Sequence, residues 1–149
     1  MGRIQITKIF HFEMAHALER YDGLCQNIHG HSYKLRVTVA GTPIEDRNNP
    51  KEGMLIDFSD LKRIVEASII RKYDHALVLN SKTDAAAINT LRNHYERIVI
   101  VDYQPTSEQI LIEFAKILRE VLPSNVHLHS LRLNETDTSY AEWFAESIY

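Results

Sequence analysis

Ile4, Ile6, Phe10, Phe12 and Met14 share one parity along residues 4–16, broken only by Lys8, and His16 closes the same series. A period of two over that length is a strand pattern, because successive side chains on a strand point to opposite faces. Residues 31–40 repeat it, with Tyr33, Leu35, Val37 and Val39 on one face and Lys34, Arg36 and Thr38 on the other. Two long strands that are apolar on one side require a second layer against that side.

Helical periodicity supplies the layer. A helix is expected from about Ser59 to Lys72, with Leu61, Ile64, Val65 and Ile69 as its apolar stripe and Asp57 or Ser59 as its cap. In PTSEQ, Thr106 as N-cap and Gln109 three residues on form a capping-box pattern. Ile110, Leu111, Phe114, Ile117, Leu118 and Val121 then recur at helical spacing up to Pro123. Gly41-Thr42-Pro43 ends the second strand, and the polar stretch 45–53 is a loop. Residues 80–95 are ambiguous, with a short helix over 85–91, and Ile98–Val101 forms a short buried strand. Residues 126–134 alternate as a strand, their apolar parity switching past Ser130 from Val126 and Leu128 to Leu131 and Leu133, the mark of a bulge. Residues 138–144 form the last strand. The sum is a single α+β domain over 1–149, with two long helices on one face of a mostly antiparallel sheet.

Composition narrows the function classes. The net charge is −3 with no Lys/Arg run, so the electrostatic footprint of a nucleic-acid binder is missing. No segment reaches membrane-spanning length and MGRIQITKIF has no apolar leader core. The single cysteine cannot form an internal disulfide, which fits a reducing, cytoplasmic setting.

That cysteine stands in CQNIHGHSY, four residues before a His-x-His pair. On a strand, His29 and His31 project to one side about 6.6–6.8 Å apart, and Gly30 puts no side chain on the other. Their parity is that of the apolar face, so the imidazoles need partners, either hydrogen-bonding groups or a Zn²⁺ ion, which would satisfy both at once. His16, ending the apolar face of the neighbouring strand, is the third candidate ligand. Three histidines leave a coordination position open, the catalytic arrangement of zinc. His127 and His129 form a second such pair, but there Val126 and Leu128 take the buried positions and the histidines face solvent. Cys25 lies in a polar loop, where a nearby cation would favour its thiolate as a base or nucleophile. Asp74-His75 reads equally as a helix C-terminus or as a carboxylate–imidazole pair for proton transfer. Glu135 shares parity with Leu131 and Leu133. A carboxylate pointing inward there needs a salt-bridge partner or a ligand such as the two N–H donors of a pterin or guanine edge.

In order along the chain stand F-x-F-E-x-A-H (Phe10 to His16), C-x3-H-G-H (Cys25 to His31), G-M-x-I-D-F (Gly53 to Phe58), Asp74-His75, P-T-x-E (Pro105 to Glu108) and Glu135-Thr136. Together they resemble the 6-pyruvoyltetrahydropterin synthase / 6-carboxytetrahydropterin synthase family from about Phe10 to Trp143. The resemblance implies a tunnelling fold with a four-stranded antiparallel sheet, whose sheets join across subunits into a barrel, typically a hexamer of two trimers. It implies catalytic Zn²⁺ on His16, His29 and His31, proton transfer by Cys25 with Asp74 and His75 of a neighbouring subunit, and pterin binding by Glu135 with Thr106 beside it. The implied substrate is 7,8-dihydroneopterin triphosphate. The carboxy branch releases acetaldehyde and leaves 6-carboxy-5,6,7,8-tetrahydropterin, a precursor of queuosine, whereas the pyruvoyl branch keeps the side-chain carbons. The compact C-x3-H-G-H spacing resembles the carboxy branch, and Cys25 departs from a folate-pathway relative that carries Glu there. The segment between Asn80 and Pro105 is longer than in compact carboxy-type members, and Tyr73 stands where Leu often precedes the Asp-His pair. From another class, a zinc-containing protein that binds a pterin or purine without turnover would need the histidines and Glu135 but neither Cys25 nor Asp74.

Overall fold

The two alternating stretches form one hairpin in the computed structural model, which describes residues 2–146. β1 (Ile4–His16) and β2 (His29–Gly41) pair antiparallel from Ile4 opposite Gly41 to His16 opposite His29. β2 begins two residues before the expected start, so both histidines of the pair lie within the ladder. Phe10, Phe12, Met14, Tyr33, Leu35, Val37 and Val39 are buried on the shared face. Phe12 lies opposite Tyr33, and their rings stack with centroids 5.2 Å apart.

β5 (His127–Thr136) pairs antiparallel with β2, and β6 (Ser139–Phe144) with β5. Thr38 is opposite Ser130 and Val39 opposite Leu128, leaving His129 as the extra residue of a bulge that turns Leu131 and Leu133 inward. His127 is exposed as expected, whereas His129 is half-buried and bonded through Nδ1 to Ser130 Oγ at 3.0 Å.

The expected four-stranded sheet has six strands, in the order β4-β3-β1-β2-β5-β6. Beyond the four come β4 (Ile98–Val101), the short strand expected there, and β3 (Ala76–Asn80), which was not expected; both pair in parallel, with β3 against the His16 end of β1. Parallel neighbours need a crossover connection, and α3 (Ala85–His94) provides it. The long segment between Asn80 and Pro105 therefore contains the helix and outer strand of a βαβ unit, with α3 running to His94 rather than 91.

On the core face lie α1 (Phe58–Val65), a π-helical stretch Glu66–Ile70 and α2 (Arg71–Tyr73), running on without a break. Of the two candidate caps, Asp57 serves, its Oδ1 accepting the Ser59 N–H at 2.8 Å. Leu61, Val65, Ile69 and Tyr73 are all buried. A strict spacing of four drifts about 40° per step around an α-helix, and the wider π turn takes up that drift so that all four face the sheet. α4 (Ser107–Val121) is capped by Thr106 and buries Ile110, Leu111, Phe114, Ala115 and Leu118. Phe114 lies 6.2 Å from the Phe12 ring and 5.1 Å from the Tyr73 ring, joining both helices to the sheet. Side chains this buried contribute about 1.5–3 kcal/mol each. Among the described residues, no helix is long and apolar enough to cross a membrane.

Candidate metal centre

The hairpin register decides which histidines meet. His16 is directly opposite His29, and Met14 is opposite His31, so all three imidazoles share the core face at one end of the hairpin. Their ring centroids lie 4.6 Å (His16–His29), 4.9 Å (His29–His31) and 5.4 Å (His16–His31) apart. Gly30 between them presents only backbone, and a Cβ there would press on the Met14 carbonyl at 3.3 Å.

Backbone carbonyls orient two of the rings. His16 Nδ1 donates to Pro105 O and His29 Nδ1 to Asn27 O, each at 2.7 Å. A carbonyl only accepts, so each Nδ1 carries the hydrogen and each neutral ring leaves a lone pair on Nε2. Those two Nε2 atoms face each other at 3.0 Å. Lone pair against lone pair is unfavourable without a cation between them, and outer-shell carbonyls of this kind are what hold metal-ligating histidines. Tetrahedral zinc with Zn–N of about 2.0–2.1 Å spaces its nitrogens ~3.3 Å apart, close to what is found. His31 Nε2 is buried without a hydrogen-bond partner, because Glu135 Oε1, although 2.8 Å away, is not aligned to bond it. Burial lowers the pKa of His16, outweighing its Pro105 hydrogen bond and the Glu135 charge, and so favours the neutral ring that a metal requires.

Glu135 is the fourth member of the cluster. Ligand atoms of His16, His29, His31 and Glu135 all lie within 4.8 Å of one another. The inward parity expected for Glu135 holds. Its Oε2 accepts a 2.5 Å hydrogen bond from Ser107, and Oε1 is 3.8 Å from His16 Nε2. Ser107 therefore hydrogen-bonds Glu135, and the neighbouring Thr106 hydroxyl accepts the Gln109 N–H at 3.3 Å as the cap of α4. Sequence reasoning missed Ser107, although three polar residues around a helix start were the available signal. It also missed Gln104, whose side chain bonds both the N–H and the C=O of Glu19 at 3.0 and 2.7 Å and holds the segment that carries Pro105.

Cys25 lies in a short 3-10 turn (Leu24–Gln26) of the hairpin connection, half-buried and outside the ligand cluster. Its carbonyl accepts the Leu18 N–H at 2.9 Å, folding the turn back toward the His16 end of β1. Tyr33 sits below the histidines, its ring 5.5 Å from that of His31. Burial first, then the charges of Glu135 and Cys25, push the phenol's ionisation far up, so Tyr33 stays neutral.

Asp74 and His75 are held apart from this group. His75 has φ 61°, a left-handed conformation that is uncommon outside glycine. The β1 edge imposes it: His75 N–H donates to Glu13 O at 2.6 Å, and the Glu13 N–H donates to Asp74 Oδ1 at 2.9 Å. His75 Nδ1 is 3.0 Å from Asp74 Oδ1. Partial burial would raise the Asp74 carboxyl, but the Glu13 N–H, His75 and Arg97 together hold it below the usual carboxylate range. His75 lines a cavity of about 770 Å³ with Glu13, Gly30, Ser32, Leu91 of α3 and His31 of the histidine cluster. Within one chain the Asp-His pair is not part of the ligand cluster, although His31 and His75 border the same cavity.

The sequence profile described as 6-pyruvoyl tetrahydropterin synthase matches residues 5–146. A 6-carboxy-5,6,7,8-tetrahydropterin synthase of Haemophilus influenzae is 36% identical over 141 residues, covering 93% of this chain and 97% of the relative. One from Synechocystis sp. is 33% identical over 141 residues, covering 94% and 92%. The structure of Caenorhabditis elegans 6-pyruvoyl tetrahydropterin synthase superposes with a TM-score of 0.68 at 22% identity over 98% of both chains, a likeness of fold. That is the tunnelling fold the motifs implied.

Proposed function

This chain belongs to the 6-pyruvoyl tetrahydropterin synthase family, and on that premise we propose that it converts 7,8-dihydroneopterin triphosphate and water to 6-carboxy-5,6,7,8-tetrahydropterin, acetaldehyde and triphosphate. The product is a precursor of queuosine and other deazapurines, and the setting is the cytoplasm. The observation that carries the reading is the convergence of three histidine Nε2 atoms, two of them oriented by carbonyls, beside a half-buried carboxylate and one hairpin turn from the only cysteine.

His16, His29 and His31 would hold Zn²⁺, which when bound supplies Lewis acidity toward the substrate's side-chain oxygens. Glu135, steadied by Ser107, accepts N–H donors of the pterin ring and fixes its orientation. The Cys25 thiolate takes a proton from the side-chain carbon. Asp74 holds the His75 ring through Nδ1 and leaves Nε2 to give or take a proton. The pair lies outside the ligand cluster and serves the site of a neighbouring copy in a hexamer of two trimers.

Cys25→Ala tests this reading. Metal-loaded variant protein should lose turnover of 7,8-dihydroneopterin triphosphate while keeping its metal and its affinity for the pterin. A variant as active as the unmodified protein would overturn the role of Cys25, and an unmodified protein that binds the pterin without consuming it would be a binding module.

A further inference from the structure

We propose that Arg97 is a positioning residue for the Asp74–His75 pair, so that the segment between Asn80 and Pro105 serves the reaction rather than only lengthening the fold. This rests on the role assigned above to Asp74 and His75. Arg97 follows α3 and immediately precedes β4, and its own carbonyl accepts the Leu77 N–H at 2.9 Å, which anchors it to β3. From there its guanidinium turns back to the end of α2. Nε donates to Asp74 O at 2.9 Å, and Nη2 donates to Arg71 O at 2.5 Å and Lys72 O at 3.2 Å.

These three acceptors are the carbonyls that a helix end leaves without intrahelical partners. Asp74 has already left the helix, with φ −64° and ψ 127°, and His75 then turns into the left-handed region. Two fixtures hold that turn. On one side is the Glu13 peptide, bonded both to the His75 N–H and to the Asp74 carboxylate. On the other is Arg97, bonded to the Asp74 carbonyl. Among the described residues no carboxylate lies within ion-pair distance of Arg97, so its donors serve the backbone and its charge stands beside Asp74. Arg97 also lines the cavity onto which His75 opens. Lysine offers a point charge and cannot span three carbonyls from one planar fork.

The test compares Arg97→Gln and Arg97→Lys with the unmodified metal-loaded enzyme. Arg97 is solvent-exposed, so its loss leaves no core cavity and the variants should fold. Arg97→Gln should lower kcat about 10- to 100-fold with KM within about twofold, as misplacement of a proton-transfer group does. Arg97→Lys should recover only part of the loss. In an Asp74→Asn background the same replacement should cost almost nothing further, because the pair it positions is already disabled. Full multiplicative loss in that background, or an unchanged kcat, would overturn the proposal. If the unmodified enzyme does not consume the substrate, the reaction assigned above fails, and a crystal structure of Arg97→Gln decides Arg97 by itself. Displacement of residues 74–75 supports the positioning role, and an unmoved His75 with its left-handed backbone refutes it.

Discussion

His16 Nε2 and His29 Nε2 face each other at 3.0 Å while each ring's Nδ1 donates to a backbone carbonyl. This geometry predicts that the purified protein binds about one divalent metal ion per chain and that His29→Ala binds almost none. His127→Ala, which alters the other His-x-His pair, should retain it. Elemental analysis after desalting reads both. Chelation should lower the thermal midpoint, since free metal at 1,000 times its Kd stabilises the folded state by about 4 kcal/mol.

Glu135 is held from below by Ser107 and lies beside the ligand set. Glu135→Gln should raise the KM for the pterin about 10- to 100-fold, the worth of a charged hydrogen bond of about 1.5–3 kcal/mol. Ser107→Ala should move KM in the same direction by less. Metal content of both variants should stay at the unmodified level, because three imidazoles suffice. Steady-state kinetics with elemental analysis separates the two effects.

The Asp74 carboxyl sits below its ordinary value of 3.8 in the folded chain, so the unfolded chain takes up its proton first as pH falls. Its stabilisation is complete above that value and is lost as pH falls through the lower, folded value. The stability difference between the unmodified protein and Asp74→Asn should therefore be constant from neutral pH down to about pH 4 and shrink below it. Urea titrations across that range measure it.

Phe114 joins α4 to Tyr73 on one side and to Phe12 on the other and is fully buried. Phe114→Ala should cost about 3–5 kcal/mol of folding stability, read by denaturant titration. Metal per folded chain should not change, since the substitution removes packing and touches no ligand.

The hairpin and the histidine cluster were legible because both follow from parity. Once Phe12 and Tyr33 are inward, so are His16, His29 and His31, and no tertiary information is needed. Glu135 followed from the same rule on β5, and the bulge at His129 announced itself as a parity switch. β3 was not legible: ALVLN is short, buried on both sides and without alternation, so periodicity cannot tell it from a loop or helix end. The supports of the site were also hidden. His16 meets Pro105, Ser107 meets Glu135 and Arg97 meets Asp74 only after the sheet and α4 have assembled. The left-handed turn at His75 has no local cause either, since the β1 edge imposes it.

The most direct test of the account is to incubate metal-loaded protein anaerobically with 7,8-dihydroneopterin triphosphate and identify the pterin product by mass while measuring acetaldehyde. 6-Carboxy-5,6,7,8-tetrahydropterin and acetaldehyde should form in equal amounts, and chelation should abolish both. A pyruvoyl product without acetaldehyde, or no turnover by the metal-loaded protein, would contradict it.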